Sequence, residues 1–154
     1  MTSTGPRSHM SLALSEAGDA GARGEVPVGA VIVSPSGKVL AASGNRTREL
    51  CDPTAHAEML AIRAACEAVG DERLVDCDLY VTLEPCPMCA AAISFARIRR
   101  LYYGASDPKG GGVEHGARVF NQPTCHHAPD VYPGLSEAEA ATILKSFFAT
   151  RRGE

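Results

Sequence analysis

The stretch TLEPCPMCAAAI, residues 82–93, places two cysteines three positions apart, directly after an apolar segment and a proline. The preceding residues DLYVTL (78–83) are typical of a buried β-strand, and the alanines that follow favour a helix. Cys86 and Cys89 therefore lie at a strand-to-helix junction with both thiols on roughly the same side. Half of a disulfide framework, or two small buried residues, are the structural alternatives. In a reducing compartment a pair at this spacing is more often a metal or redox site.

The composition is that of an ordinary globular chain. Its 154 residues are enough for one domain, 1–154, and we expect the segment 1–7 to be disordered. No apolar run approaches the roughly 18 residues that a membrane span needs, and the N-terminus lacks the apolar core of a secretory signal. We therefore expect no membrane association and a cytoplasmic location. The net charge of -3 disfavours a sequence-independent nucleic-acid binder but leaves a local RNA-binding patch possible.

The remaining chain alternates between strands and helices. VGAVIV (28–33) and KVLAAS (38–43) flank the turn cluster SPSG and predict a β-hairpin. Thr54 is a candidate N-cap for a helix that Gly70 ends. The pattern gives the order α-β-β-α-β-α-β-α, which predicts a mixed sheet with both faces covered.

Two segments complete this outline. Residues 105–134 are rich in glycine, proline and histidine and show no clear period, as in functional loops or loops with small elements of their own. Ser136 and Glu139 predict a capping box for a C-terminal helix.

The third metal-ligand candidate lies in the sequence TAHAE. His56 and Glu58 would face opposite sides of a mid-helix turn, but at a helix start both can reach a shared space. Two helix starts facing each other at the sheet edge would bring His56, Cys86 and Cys89 together. One imidazole and two thiolates leave one coordination position open, as in catalytic zinc sites, and favour zinc over metals that prefer oxygen ligands. Glu58 is then free to carry protons. A purely structural zinc site is the alternative.

The sequence His-x-Glu followed by Pro-Cys-x-x-Cys is the known signature of zinc-dependent nucleobase deaminases. Around it, several segments resemble the bacterial tRNA-specific adenosine deaminase (TadA) family over about residues 8 to 152. The segments are EVPVGAVIV, GNRT, DPTAHAEMLAIR, DLYVTLEPCPMC, RIRRLYYGASDPKGG and SFFATRR. Because all zinc nucleobase deaminases share the zinc motif, the resemblance to this family rests above all on GASDPKGG and the C-terminal SFF..RR.

The resemblance implies a three-layer α/β/α cytidine-deaminase-like fold with a mixed five-stranded sheet. It also implies a homodimer with one zinc ion per subunit, which converts the wobble adenosine of a tRNA anticodon stem-loop to inosine. In this reaction water attacks adenine C6, while Glu58 protonates N1 and then the departing ammonia. Carried over by position, the family's zinc ligands are His56, Cys86 and Cys89, its catalytic acid/base is Glu58, and its substrate-binding residues are Asn45, Val28 and Asp107. Independently of the resemblance, Arg151 and Arg152 are candidates to bind RNA phosphates, the alternative being that they complement the dipole at the C-terminus of their helix.

Other residues and functions stay open. Cys125, His126 and His127 could form a second metal site or face solvent or RNA, and Glu84 could orient the metal loop or bond to nearby backbone. Arg97, Arg99 and Arg100 are expected at a dimer interface or in solvent. The alternative functions are deamination of a free base or nucleoside, such as guanine or cytidine, and a non-catalytic zinc-stabilised RNA-binding module.

Overall fold

The computed structural model describes residues 5–152, except for the side chain of Arg152. Of the segment 1–7 that we expected to be disordered, residues 1–4 lie outside the described part. Pro6 and Arg7, in contrast, form the first turn of a helix. Within residues 5–152, no helix combines the length and the apolarity needed to cross a membrane.

Four α-helices, five strands and one short 3-10 helix make up the described chain. In order they are α1 (Pro6–Ala22), β1 (Gly29–Val33), β2 (Val39–Gly44), α2 (Ala57–Val69), β3 (Asp78–Leu83), α3 (Pro87–Phe95), β4 (Arg100–Ala105), the 3-10 helix (Val119–Asn121), β5 (Asp130–Pro133) and α4 (Glu137–Arg152). The sheet order is β2-β1-β3-β4-β5. Strand β1 is antiparallel to β2 and β3, whereas β3, β4 and β5 are parallel. The mixed five-stranded sheet is thereby confirmed.

Helices cover both faces of the sheet because its central strands bury side chains on both. In β1, Ala30 and Ile32 belong to the larger core cluster, which includes residues of α2 and α3. Val31 and Val33 point the other way and pack with Met10 of α1. This period-two alternation in a fully buried strand produces the three-layer arrangement. The larger core lies between the sheet and the helices α2 and α3, and it supports the site described below.

The resemblance implied a fifth strand that the residue pattern did not locate. The structure places it at Asp130–Pro133, inside the segment 105–134 that showed no period. It is only four residues long and largely exposed, so it lacks the alternation that marks the other strands. Tyr132 of this strand stacks on Tyr102 with ring centroids 4.8 Å apart, and Tyr102 stacks on Tyr80 at 4.5 Å. A tyrosine row thus runs across β3, β4 and β5.

Two predicted helix caps are wrong. His56, not Thr54, is the N-cap of α2, because the Thr54 hydroxyl donates a 2.7 Å hydrogen bond to Asp52 in the preceding turn. Ser136 has a left-handed backbone (φ 55°), whereas an N-cap is normally extended, so the predicted capping box is not formed. The predicted end of α2 is confirmed, since Gly70 adopts the left-handed conformation (φ 73°) that favours glycine.

Candidate metal and catalytic site

Helices α2 and α3 begin side by side at the sheet edge where β3 ends, and their first residues hold three metal-ligating side chains. The ligand atoms of His56, Cys86 and Cys89 all lie within 4.8 Å of one another. His56 Nδ1 lies 3.6 Å from Cys86 Sγ and 3.5 Å from Cys89 Sγ. The predicted convergence of the three residues is therefore present in the structure.

The local backbone explains how residues thirty positions apart converge. His56 and Cys86 are each the N-cap of their helix and have extended backbones, with ψ 154° and 171°. In the described chain, neither side chain makes a capping hydrogen bond, so the imidazole and the thiol are free to project beyond the helix ends. Pro87 occupies the first position of α3, where a missing N–H is tolerated. The two N-caps thus hold their side chains in a common space.

The donor set fits zinc. The hydrogen bond from Cys89 lowers the pKa of the Cys86 thiol to about 4, helped by His56 and opposed by burial. The hydrogen bond with Cys86, followed by burial and nearby Glu58, raises the pKa of Cys89. The pKa of His56 is raised, chiefly by its hydrogen bond with Cys86. These directions favour a thiolate at Cys86 and protons retained on His56 and Cys89, which a bound metal ion would displace. Two sulfurs and one nitrogen are three of the four ligands of a tetrahedral zinc ion, which leaves one position open.

Glu58 lies in the first turn of α2, two residues after His56, and only 4% of its surface is exposed. Burial raises the pKa of its carboxyl to about 7, and the neighbouring Cys86 thiolate adds to the shift. Its own backbone amide and His56 oppose the shift. A carboxyl group with a pKa near neutrality can both accept and release a proton at physiological pH.

Asn45 and Val28 lie beside the start of α2. The Asn45 side-chain oxygen accepts a 2.8 Å hydrogen bond from the N–H of Ala57, the first residue of that helix. Because its oxygen is used in this way, Asn45 can offer a ligand its amide N–H donors. The backbone N–H of Asn45 donates to the carbonyl of Val28, whose side chain is 6% exposed. The structure thus places both predicted substrate residues next to the helix turn that carries Glu58.

The other predicted substrate residues make intramolecular contacts. The Asp107 carboxylate accepts a 2.9 Å hydrogen bond from the N–H of Gly110, within its own loop. Arg151 donates from Nη2 to the carbonyl of Gly24 at 3.2 Å, and its guanidinium lies 4.4 Å from the centroid of the Phe147 ring. Arg151 therefore ties α4 to the segment after α1. The side chain of Arg152 lies outside the described part.

Two buried glutamates hold loops next to the site. Glu84 is 2% exposed and accepts hydrogen bonds from four backbone amides of the loop after β4, so of the two roles considered for it, bonding to nearby backbone is present. Glu25, which the sequence analysis missed, is also 2% exposed and accepts from the amides of Arg48 and Glu49. The signal that could have found both is a lone acidic residue beside an apolar strand, since buried carboxylates need hydrogen-bond partners.

The second cluster of candidate ligands does not form a metal site within residues 5–152, where His56, Cys86 and Cys89 are the group of three that meets. His127 Nε2 lies 2.7 Å from the carbonyl oxygen of Ile98, and the Cys125 thiol donates to the carbonyl of His127. Both side chains are therefore engaged with backbone groups.

Comparisons with known proteins place these observations in context. Residues 4–105 match the cytidine and deoxycytidylate deaminase zinc-binding region. The tRNA-specific adenosine deaminase of Agrobacterium fabrum is 70% identical over 147 residues, which is 95% of this chain and 96% of that protein. The tRNA-specific adenosine deaminase of Aquifex aeolicus is 43% identical and covers 93% of each chain.

Two solved structures are informative. One, from studies of A-to-I editing by tRNA:A34 deaminases at the wobble position of transfer RNA, superposes with a TM-score of 0.87 and 72% identity. The match covers 88% of this chain and 98% of that one. The other is a guanine deaminase from Bacillus subtilis, with a TM-score of 0.66, 32% identity and coverage of 96% and 94%.

Proposed function

The chain belongs to the tRNA-specific adenosine deaminase family, and on that basis we propose that it is a zinc-dependent hydrolase that converts adenosine to inosine at the wobble position of a tRNA anticodon. One observation carries the proposal. The donor atoms of His56, Cys86 and Cys89 meet beside buried Glu58 in a chain that is 70% identical to such an enzyme.

Zinc held by His56, Cys86 and Cys89 supplies Lewis acidity, which lowers the pKa of water and so provides a nucleophile at neutral pH. The chain itself supplies the proton transfers. Glu58 takes the proton that the attacking water releases and delivers it to N1 of adenine. It then takes the proton of the new C6 hydroxyl and passes it to the amino group, so that the C6–N bond breaks, ammonia leaves and C6 becomes a carbonyl. The overall reaction consumes one water molecule and releases one ammonia for each inosine formed.

Asn45 and Val28 are proposed to hold the target nucleoside, which must leave the base stack to reach the site. With its oxygen bound to the amide of Ala57, Asn45 donates its side-chain N–H groups to acceptors of the nucleoside. Val28 provides an apolar wall for the base. Both residues lie beside the start of α2, where Asn45 is hydrogen-bonded to Ala57 in the turn that carries Glu58.

Asp107, Arg151 and Arg152 are proposed to contact the RNA outside the base pocket. Asp107 lies on the loop that follows β4, close behind the turn that carries Cys86. Because Nη2 of Arg151 donates to the carbonyl of Gly24 and its Nε is buried, a phosphate would bind Nη1 of its guanidinium. A tRNA substrate also agrees with the predicted cytoplasmic location.

We further propose that the protein acts as a homodimer through the end of α3. Phe95, the last residue of that helix, is 74% exposed. It borders a groove of about 290 Å³ lined partly by Ala91, Val119 and Thr124. Arg99, in contrast, pairs with Asp78 through two 3.0 Å hydrogen bonds, which favours a structural role over an interface role.

A substitution tests the dimer. Phe95→Glu should convert a dimer to a monomer in light scattering, because it places a charge where apolar surfaces meet. Val75→Glu, at an apolar residue that is 61% exposed elsewhere, is the matched control and should leave the mass unchanged. A monomeric wild type, or a Phe95→Glu variant that stays dimeric, would refute this interface.

The enzymatic assignment is tested by comparing substrates. The purified, zinc-loaded protein should form inosine in an anticodon stem-loop with adenosine at the wobble position. A stem-loop with cytidine at that position is the matched control and should remain unchanged. Nucleoside analysis by mass spectrometry measures the product in both.

Deamination of a free base is the second candidate, and the similarity to a guanine deaminase structure favours it. The same zinc ligands and Glu58 would serve that reaction. The lower identity, 32% against 70% for the tRNA-specific relative, argues for the RNA substrate. Release of ammonia from guanine, cytidine or adenosine, with no inosine in the stem-loop, would replace the preferred assignment by this one.

A further inference from the structure

The carboxylate of Glu84 collects five hydrogen-bond contacts from the loop after β4, residues 106–116, which we call the Glu84 loop. Oε1 accepts from the N–H of Asp107 at 3.0 Å and lies 2.8 Å from Nδ1 of His115. Oε2 accepts from the amides of Val113 (3.2 Å), Glu114 (2.9 Å) and His115 (3.1 Å). One buried carboxylate therefore fixes both ends of this loop.

The Glu84 loop also packs directly on the turn that carries a metal ligand. Gly112 donates a 2.8 Å hydrogen bond to the carbonyl of Pro85. A Cβ atom at Gly112 would lie 2.6 Å from the nitrogen of Pro87 and 2.9 Å from the carbonyl carbon of Cys86. Such distances are too short for any side chain. The loop and the Cys86 turn are thus closely packed. Glu84, two residues before Cys86, links this turn to the end of β3 through the backbone and holds the loop through hydrogen bonds.

Asp107 takes its position from this arrangement. Its N–H is bound to Glu84, and its carbonyl accepts a 2.8 Å hydrogen bond from the N–H of Gly111. Its carboxylate then accepts from the amide of Gly110. Both polar backbone groups of Asp107 are therefore hydrogen-bonded, the N–H to the Glu84 carboxylate and the carbonyl to the amide of Gly111.

We propose that Glu84 is a positioning residue that sets the Glu84 loop, and with it Asp107, against the metal turn for RNA binding. The hydrogen bonds of Glu84 all go to the Glu84 loop and none of them to His56, Cys86 or Cys89. The inference rests on the proposed tRNA substrate and extends it to a residue for which the family signature names no role. A merely structural role would lower stability without changing how the folded protein binds RNA.

The conservative variant Glu84→Gln separates these roles. All five contacts need an acceptor, and the amide side chain supplies only one oxygen. With that oxygen in the Oε2 position, the amides of Val113, Glu114 and His115 stay bound. The NH₂ group then takes the place of Oε1. The ring of His115 can still bind it, because the other tautomer of the ring accepts a hydrogen bond. The N–H of Asp107 cannot, because it is a donor and has lost its acceptor. Glu84→Gln therefore releases Asp107 selectively.

The experiment compares wild type, Glu84→Gln and Ile32→Val. Ile32 is a buried β1 residue next to Leu79, so its truncation lowers stability without touching the loop. Three properties are measured: zinc content per chain, amide hydrogen exchange in residues 106–116, and stem-loop affinity by fluorescence anisotropy together with kcat and KM.

In Glu84→Gln we expect retained zinc, faster exchange at the Asp107 amide and protected amides at residues 113–115. Affinity for the stem-loop should fall on the order of tenfold, the effect of losing one charge-assisted contact, and KM should rise with kcat nearly unchanged. Ile32→Val should lower the melting temperature but keep the wild-type affinity and KM.

Wild-type affinity and KM in Glu84→Gln would overturn the proposal, even if stability fell. So would loss of zinc with normal loop exchange, because Glu84 would then act on the ligands and not on the loop. Failure of the proposed function appears separately, as a wild type that forms no inosine. Hydrogen exchange at the Asp107 amide tests the positioning of the loop in either case, because it does not depend on RNA.

Discussion

Glu58 and Glu84 are glutamates at the same edge of the sheet, 4% and 2% exposed, yet their surroundings differ. Burial raises the pKa of the Glu58 carboxyl to about 7, and the amide that opposes the shift is its own. Burial also acts on Glu84, but hydrogen bonds from Asp107, His115 and Glu114 outweigh it and hold the pKa below its ordinary value.

The difference shows that burial alone does not determine whether a carboxyl group stays ionised. A carboxylate that accepts several amide hydrogen bonds stays ionised and fixes the chain around it. A carboxylate that is buried without them can exchange a proton near neutral pH, which suits acid/base chemistry. For these residues of the same type, 26 positions apart, we therefore propose different roles: proton transfer for Glu58 and positioning of the Glu84 loop for Glu84.

The largest expected effect comes from removing the proton carrier. Glu58→Ala should keep zinc and fold but lower kcat by about 10² to 10⁴, the usual contribution of general acid/base catalysis. Its melting temperature should equal or exceed that of wild type, because a buried acidic group with few hydrogen bonds is removed. Inosine formation and calorimetry measure the two effects. Wild-type activity in this variant would show that Glu58 is not the proton carrier.

Removing Glu84, in contrast to Glu58, should lower the stability of the protein. Glu84→Ala leaves four amides and the His115 side chain without their acceptor, so we expect a loss of at least about 3 kcal/mol in the free energy of unfolding. Denaturant titration measures this loss. If Glu84→Ala were as stable as Glu58→Ala, the contrast between the two carboxyl groups would not hold.

A third buried glutamate, Glu25, predicts how the stability of the protein depends on pH. Burial raises its pKa, but hydrogen bonds from the amides of Glu49 and Arg48, aided by Thr47 and Arg23, outweigh burial and lower it below the ordinary value of 4.5. A lowered folded-state pKa stabilises the protein above pH about 4.5, and this contribution is lost as the pH falls through the folded-state value.

The variant Glu25→Gln tests this pH dependence. It should be less stable than wild type at pH 7, by about 1 to 3 kcal/mol for an amide left without its acceptor. The difference should shrink below pH 4.5, as wild-type Glu25 becomes protonated. Melting curves of both proteins from pH 7 to pH 3 provide the measurement. A difference that stays constant over this range would mean that the Glu25 carboxylate does not stabilise its loop through its charge.

The sequence predicted the metal site better than the loops around it. His56, Glu58, Cys86 and Cys89 belong to a short local pattern, and the helix starts that carry them are marked by proline and alanine. Glu25 was missed because the only signal in the sequence is an acidic residue beside an apolar strand, and its partners are backbone amides more than twenty positions away that this signal does not identify.

The errors in secondary structure have a similar cause. Strand β5 is short and exposed, so it lacks alternation and depends on pairing with β4. Thr54 was a reasonable cap by residue type, but Asp52 takes its hydroxyl, and His56 replaces it. In each case a tertiary contact or a competing local hydrogen bond overrode the pattern in the sequence.

The proposed activity depends on an open zinc site next to a carboxyl group that exchanges protons. Zinc K-edge X-ray absorption of the purified protein tests this site, with Cys86→Ala as a control that should lose the metal and some stability. We expect one zinc per chain bound by two sulfurs, one imidazole nitrogen and one further light atom from solvent. A third sulfur, a second imidazole, or zinc retained in full by Cys86→Ala would contradict it.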